Sequence, residues 1–541
     1  MSKKIQLFDT TLRDGTQGEK VSFSAEDKFR IACRLDEFGI DYIEGGWPGS
    51  NPKDMAFFDR AKSHRFQHAK IVAFGSTCRA GNRPDEDPNL LALIEAETPA
   101  VSLFGKSWLL HVHDALKITP EQNLEMISGS VSFLKEHGKE VIYDAEHFFD
   151  GYKHDPDYAL QTLQAARKAG ADVLVLCDTN GGTLPNEVSE IVSKVNNELD
   201  APVGIHTHND CELAVANAVA AVQAGAVHVQ GTINGYGERC GNANLCSLIP
   251  NLQIKQGYRC IPESNLSQLS PLSKFVSEIA NLVPDHKQPF VGKSAFAHKG
   301  GIHVSAVLKN HHTYEHIEPE TVGNSRRVLL SDLSGKSNIS YKSEELGFDF
   351  DKYSNEGKQI VQSLKALENQ GYSYEAAEAS FELLVKEMTD KAPDFFRLEG
   401  FRVITERNAD GKSRSEATIK VRVNDRVELS AAEGNGPVHA LDGAIRRALC
   451  EFYPEVSAMQ LQDYKVRVLN EKDGTGAKVR VLIDSGNDRA SWGTVGVSEN
   501  IIDASWRALS EGIIYYLMKQ NSKPKPKQNF THDSSLQGSR A

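Results

Sequence analysis

Six short polar runs hold the side chains with which this chain can do chemistry: Asp9-Thr10-Thr11-Leu12-Arg13-Asp14-Gly15, Glu44-Gly45-Gly46, Asp144-Ala145-Glu146-His147, Asp178-Thr179-Asn180-Gly181, His206-Thr207-His208-Asn209-Asp210 and Asn234 to Asn242. The pair His206 and His208 is the most informative. Alternate residues of a strand point the same way, so both imidazoles can present a nitrogen to one metal ion. Alone, such a pair also reads as two partly exposed polar histidines. Asp14 adds a carboxylate and Asn242 a carbonyl oxygen, and this mixed nitrogen and oxygen set suits a divalent ion, Mn2+ or Mg2+ first, Co2+ or Zn2+ as alternatives. Coordination positions left open to substrate make it a Lewis-acid site and not a closed structural one. Arg13, beside the metal carboxylate, offers a fixed cation for developing oxyanion charge, with Glu146 expected to hold its guanidinium. The plainer alternative is a rim salt bridge without chemistry. Glu238 with Arg239 reads equally well as a structural ion pair, and Cys240 and Cys246 as small buried hydrophobes.

These runs follow β-rich segments, which are Ile5–Asp9, Asp41–Glu44, Lys70–Phe74, Ala100–Phe104, Glu140–Tyr143, Asp172–Cys177, Val203–Ile205 and Val227–Gly231. Between them lie stretches of helical period such as Ala25–Phe38, Asp157–Ala169 and Cys211–Ala224. Eight near-equal β-α units predict a (β/α)8 TIM barrel over residues 1–275, because a closed ring leaves no strand edge and collects polar residues at the C-terminal ends of its strands. An open doubly wound sheet is the alternative, weakened by the lack of GxGxxG after the first strand. Residues 276–391 read as helical linker subdomains, clearest at Asn355–Leu367 and Tyr374–Met388. Over residues 392–520 a β-β-β-α pattern occurs twice. Strand-like Phe401–Glu406, Glu416–Val423 and Arg426–Ala431 precede one helix; Tyr464–Leu469, Lys478–Ile483 and Ala490–Thr494 precede the other. That predicts a duplicated α+β regulatory module. Gly434–Pro437 and Gly493–Val497 are expected as loops before its two helices, suited to holding the charged ends of a small amino acid. Residues 521–541 lack apolar periodicity and are expected to be disordered.

Across 541 residues, 25 % charged and 40 % hydrophobic side chains make an ordinary globular composition, which excludes fibrous and wholly disordered readings. The net charge of −12 disfavours phosphate backbones and anionic headgroups, so neither a nucleic-acid nor a membrane partner is expected. No apolar run approaches the roughly 20 residues needed to span a bilayer. Met1 to Ile5 leads directly into a strand without a signal-like apolar region, and the eight cysteines include no CxxC, which together predict a cytoplasmic protein with reduced thiols.

DTTLRDG at Asp9–Gly15, HTHND at His206–Asp210 and GYGERCGNA at Gly235–Ala243 resemble the three signature motifs of the DRE-TIM metallolyases. Within that family the chain is similar to the Claisen-condensing acyl-CoA synthases of 2-isopropylmalate, homocitrate and citramalate. GGWPGSNPKD (Gly45–Asp54), FGKSW (Phe104–Trp108), YDAEHFFDGY (Tyr143–Tyr152) and GTINGYGERCGNANLCSLIPNL (Gly231–Leu252) are most similar to the citramalate branch. The resemblance covers nearly the whole chain, since the duplicated module resembles the allosteric, dimer-forming domain of these enzymes. It implies an acyltransferase that condenses acetyl-CoA with pyruvate in isoleucine biosynthesis; condensation with 2-oxoisovalerate or homocitrate synthesis is the alternative. It also implies a homodimer with isoleucine as the expected effector and leucine as the other choice. By the same resemblance Asp14, His206, His208 and Asn242 bind the metal, Arg13 and Glu146 are the catalytic pair, and Thr179 meets the oxo-acid carboxylate. AHKGGIHVSAV (Ala297–Val307) with YEHI (Tyr314–Ile317) resembles the linker portion that lends a His and a Tyr to the neighbouring protomer's site, here His303 and Tyr314. Lyases that run the reaction backwards lack the duplicated domain, and the complete ligand set argues against a catalytically silent amino-acid sensor.

Overall fold

The computed structural model describes residues 3–329, 355–374, 377–389, 391–407, 409–469, 477–487 and 490–524. It divides into two compact units, one of residues 1–296 and 316–326, the other of residues 297–315 and 327–541.

In the first unit eight parallel strands close in sequence order: β1 (Gln6–Asp9), β2 (Tyr42–Gly46), β3 (Lys70–Ser76), β4 (Ala100–Lys106), β5 (Glu140–Glu146), β6 (Val173–Asp178), β7 (Val203–Thr207) and β8 (His228–Gly231). β8 returns to β1 with Gln6 opposite His228 and Asp9 opposite Gly231. The expected TIM barrel is present, and the open sheet is not. Its helices start and stop on local chemistry. α1 (Ala25–Phe38) has the predicted limits because Ser24 and Asp27 exchange capping hydrogen bonds at its start, while Gly39, at φ +99°, takes the left-handed turn at its end. Prolines 52, 88, 120, 156 and 185 open α2 (Pro52–Ala61), α3 (Pro88–Glu95), α4 (Pro120–Glu136), α6 (Pro156–Lys168) and α7 (Pro185–Glu198), where a missing N–H costs nothing. The short α5 (Phe148–His154) follows β5, and α8 (Ala214–Gln223) lies between β7 and β8.

Inside the barrel Phe8, Tyr42, Val72, Ala100, Ile142, Val173, Val175 and Cys177 form a buried apolar cluster. Strand alternation puts Glu44, Ser102, Asp144, His206 and Gln230 on the same inward faces, one step nearer the C-terminal ends. Several strands run past their expected limits, to Ser76, Lys106, Glu146 and Thr207. Hydrophobicity stops where the polar residues begin, but the backbone ladder continues, pairing Lys106 with Glu146 and Cys177 with His206. Glu146 and His206 therefore sit on the rigid ladder and not in loops.

The second unit carries a short parallel pair, β9 (Ala297–His298) and β10 (Arg327–Val328), within a segment expected to consist of helices joined by loops, without recurring strands. Helices occupy Gly301–Lys309, Asn355–Asn369 and Glu378–Met388. Two antiparallel sheets follow: β11 (Arg397–Arg407), β12 (Ser413–Val423) and β13 (Arg426–Gly434), then β14 (Gln460–Val468), β15 (Val479–Gly486) and β16 (Ser491–Ser498). Each is followed by a helix, Pro437–Cys450 or Ile501–Lys519, which makes the repeat. One expectation is corrected. Gly493–Val497 is not a loop but part of β16, and a Cβ at Gly496 would stand 2.0 Å from the carbonyl oxygen of Ala504. The glycine marks a close approach of helix to strand, not a turn. Residues 525–541, most of the tail expected to be disordered, lie outside the described residues. Among the described residues no helix is long and apolar enough to cross a membrane.

Candidate active site

Asp14 opens a single 3-10 turn after β1. His206 lies on β7, and His208, just beyond it, forms a β-bridge with Asn242 from the turn after β8. Gly237 allows that approach, since a Cβ there would fall 2.1 Å from Nδ2 of Asn242. The Nε2 atoms of His206 and His208 are 3.2 Å apart, and Oδ2 of Asp14 is 3.5 and 4.0 Å from them. Burial lowers both histidines, His208 to about 4, so both rings are neutral near neutral pH, the form that can bind a metal ion. Burial opposes ionisation of Asp14, yet the adjacent Arg13 guanidinium, with the charge the two imidazoles carry at low pH and a hydrogen bond from Asn242, outweighs it and holds the carboxyl below its ordinary range. Oδ1 of Asp14 and Oδ1 of Asn242 are buried without a hydrogen-bond partner. Each such atom costs about 1–3 kcal/mol unless something binds it. Neutral nitrogens and unpaired oxygens converging on one point fit a divalent cation.

Arg13 is where the structure departs from expectation. Its Nε donates to Oε2 of Glu44 at 2.7 Å, its Nη1 is 3.4 Å from Oδ2 of Asp14, and its guanidinium carbon lies 3.7 Å from the centre of the Phe74 ring. Thr10 donates to the same Glu44 oxygen. Glu146 does not hold Arg13; it is paired with Lys106 of β4. The reason is topological, because β2 neighbours β1 in the ring, whereas β5 stands across the barrel from it. Glu44 was visible as the end of the second strand, and adjacency of consecutive strands was the signal that could have selected it.

On the same rim, Oγ1 of Thr179 accepts the N–H of His147 at 2.9 Å, which leaves the Thr179 hydroxyl hydrogen available to another acceptor. Arg239 turns mainly to Asp210, at 2.7 and 2.9 Å, with Glu238 at 3.5 Å, and it donates to the Thr179 carbonyl at 2.7 Å. It ties three rim loops together. Cys246 is buried as expected, but Cys240 is exposed, on a turn closed by the bond from Gly241 N–H to the Glu238 carbonyl. Deeper in the barrel, burial pushes Asp9 and Asp144 up to about 7. His303 and Tyr314 belong to the second unit, where their exposed rings stack with centres 4.2 Å apart. A cavity of about 710 Å³, lined by Lys4, His68, Tyr258 and Arg259 among others, opens at the opposite, N-terminal end of the barrel, away from these residues.

Residues 4–276 match the HMGL-like family, residues 290–372 the homocitrate synthase post-HMGL domain-like family and residues 375–517 the LeuA allosteric (dimerisation) domain. The chain is 57 % identical to an (R)-citramalate synthase of Aquifex aeolicus over 525 residues, 97 % of this chain and 99 % of that protein. It is 57 % identical to one of Geobacter sulfurreducens over 516 residues, 95 % and 98 % of the two chains. Identity to a probable 2-isopropylmalate synthase of Methanopyrus kandleri is 32 % over 516 residues, at 95 % and 98 % coverage. Full-length likeness is thus far stronger to one branch than to the other, and the chain belongs to the HMGL-like family and, within it, to the (R)-citramalate synthases.

Proposed function

We propose that the chain joins the acetyl group of acetyl-CoA to the keto carbon of pyruvate and hydrolyses the thioester, releasing citramalate and CoA for isoleucine biosynthesis. The observation that carries this reading is the convergence of Arg13, Asp14, His206, His208 and Asn242 on one barrel rim with ligand oxygens left unpaired. A divalent ion, Mn2+ or Mg2+ before Co2+ or Zn2+, would be held by Asp14, His206, His208 and Asn242 and would supply Lewis acidity toward the keto group. Arg13, locked between Glu44 and the Phe74 ring, offsets the alkoxide that forms when the acetyl enolate attacks. Thr179 donates its hydroxyl hydrogen to the oxo-acid carboxylate, and Glu146, fixed by Lys106, is the catalytic carboxylate at the end of β5. His303, with Tyr314 stacked on it, is the candidate to take the methyl proton of acetyl-CoA, delivered from the neighbouring protomer.

The same proposal includes a homodimer in the cytoplasm, consistent with eight free cysteines and the LeuA-type domain, and isoleucine as the effector of that domain. The test is thiol release from acetyl-CoA with a panel of oxo acids. kcat/KM should be highest for pyruvate, and a preference for 2-oxoisovalerate would overturn the reading. Sharing of the site is tested by mixing Asp14→Ala and His303→Ala subunits. Each parent should be nearly inactive, and mixed dimers should regain up to about half of their sites.

A further inference from the structure

We infer that Gln230 is a positioning residue, which fixes the tautomer of His206 through a buried hydrogen-bond relay running across the barrel from Ser102 and Asp144. Gln230 lies on β8 and is 1 % exposed, a costly place for an amide unless both ends are bonded. Both are. Its Oε1 is 2.8 Å from Nδ1 of His206, and its Nε2 donates to Oδ1 of Asp144 at 2.9 Å. The other Asp144 oxygen accepts the Ser102 hydroxyl at 2.7 Å. Ser102 is on β4 and Asp144 on β5, across the ring from β8, so the relay spans the interior one layer beneath the rim.

Direction along this relay follows from donor and acceptor chemistry. An amide can present either end to a histidine, but an ionised carboxylate, the form Asp144 takes above about pH 7, only accepts, so it takes the amide hydrogen and turns the Gln230 oxygen toward His206. An amide oxygen also only accepts. Nδ1 of His206 must therefore carry the hydrogen, and Nε2 must be bare. Nε2 is the atom that stands 3.2 Å from Nε2 of His208 and 3.5 Å from Asp14. The other tautomer would aim an N–H into the ligand set. The inference rests on the metal-site reading above, but the tautomer exists without metal and is measured without it.

The experiment uses the full-length chain stripped of metal, with ¹⁵N-labelled histidine for the ring-nitrogen shifts and calorimetric titration with Mn2+ alone. In the wild type His206 should carry its hydrogen on Nδ1. Gln230→Met, which keeps the volume, should shift His206 toward the other tautomer and raise the Mn2+ Kd about 10- to 100-fold, the usual effect of losing a residue that orients a ligand. Gln230→Glu alone sets two carboxylates against each other and should also weaken binding. Combined with Asp144→Asn it moves the carboxylate to position 230, so the bond between the two positions reverses, the new amide donating to the new carboxylate, while that carboxylate still accepts from Nδ1 of His206. The double variant should therefore bind Mn2+ clearly more tightly than Gln230→Glu, a coupling that a residue serving only as packing would not give. An unchanged tautomer and Mn2+ affinity in Gln230→Met, or a double variant no better than Gln230→Glu, overturns the inference. A wild type that takes up no Mn2+ overturns the metal reading instead, and the tautomer in the two proteins still decides the role of Gln230.

Discussion

At the barrel rim Asp14 Oδ1, Asn242 Oδ1, Glu44 Oε1 and His208 Nδ1 are buried without partners. In the C-terminal unit the buried Glu511 carboxyl receives the Ser380 hydroxyl, whose oxygen in turn accepts the Val495 N–H at 2.9 Å, while Trp492 Nε1 donates to the Gly512 carbonyl at 3.1 Å and Glu382 is bridged by Lys519. Oδ1 of Asp442 and Oε2 of Glu382, the latter ion-paired with Lys519, are also buried without a hydrogen-bond partner, but they lie on different helices, whereas the unpaired atoms at the rim gather at one site. Unpaired groups at the rim cost stability and are of use only to something that binds there, whereas bonded ones hold helices against a sheet. The two regions thus differ in purpose although both bury polar side chains.

His208→Ala should break this contrast most sharply. Citramalate formation should fall by about a thousandfold or more, roughly 4 kcal/mol of barrel-rim chemistry, while the metal-stripped variant melts no lower than metal-stripped wild type. Steady-state thiol release and calorimetry check it, and a large fall in melting temperature would make the histidine a packing residue. Glu511 gives the next effect, and it is one of stability. Burial raises its carboxyl from 4.5 to about 7, so the folded unit keeps a proton that the unfolded chain releases. Stability from this group is complete below pH 4.5 and is lost as pH rises to about 7, on the order of 3 kcal/mol in all. Glu511→Gln should flatten the pH dependence of the C-terminal unfolding transition across that window, as read by denaturant titration.

Thr179→Val should raise KM for the oxo acid about tenfold with a smaller change in kcat, since one hydrogen bond to a charged group is worth about 1.5–3 kcal/mol. Saturation curves in pyruvate test it, and an unchanged KM would return Thr179 to a structural role. The smallest effect belongs to Ser24→Ala, in the capping box of α1, remote from the rim. It should cost about 1 kcal/mol of barrel stability and leave kcat/KM untouched.

The barrel and its rim were legible because two periodicities coincide in the sequence, that of the strands and that of the polar runs after them. α1 was read to the residue, since Ser24, Asp27 and Gly39 write its limits in short-range chemistry. Strand ends were misjudged where hydrophobicity gives way to the site, as at Glu146 and Thr207. Partnerships across the ring were harder. Nothing near Arg13 in sequence points to Glu44, and nothing about Gln230, one residue before Gly231, distinguishes it from an exposed amide until β5 is placed opposite β8. Glycine gave a mixed message for a similar reason: Gly237 and Gly496 both mark close approach, and only the packed neighbour tells it from a turn.

Closure of the ring between β1 and β8 also sets an order of events during synthesis. Asp14 leaves the ribosome soon after β1, but His206, His208 and Asn242 arrive only with β7 and the turn after β8. Until the last strand docks on the first, the most distant pairing in the ring, the proposed set of ligands is incomplete. An ion that binds only the closed ring draws the equilibrium toward that final pairing. A fragment lacking β8 has neither a finished ring nor the whole proposed site, so on this proposal assembly and activation are one event.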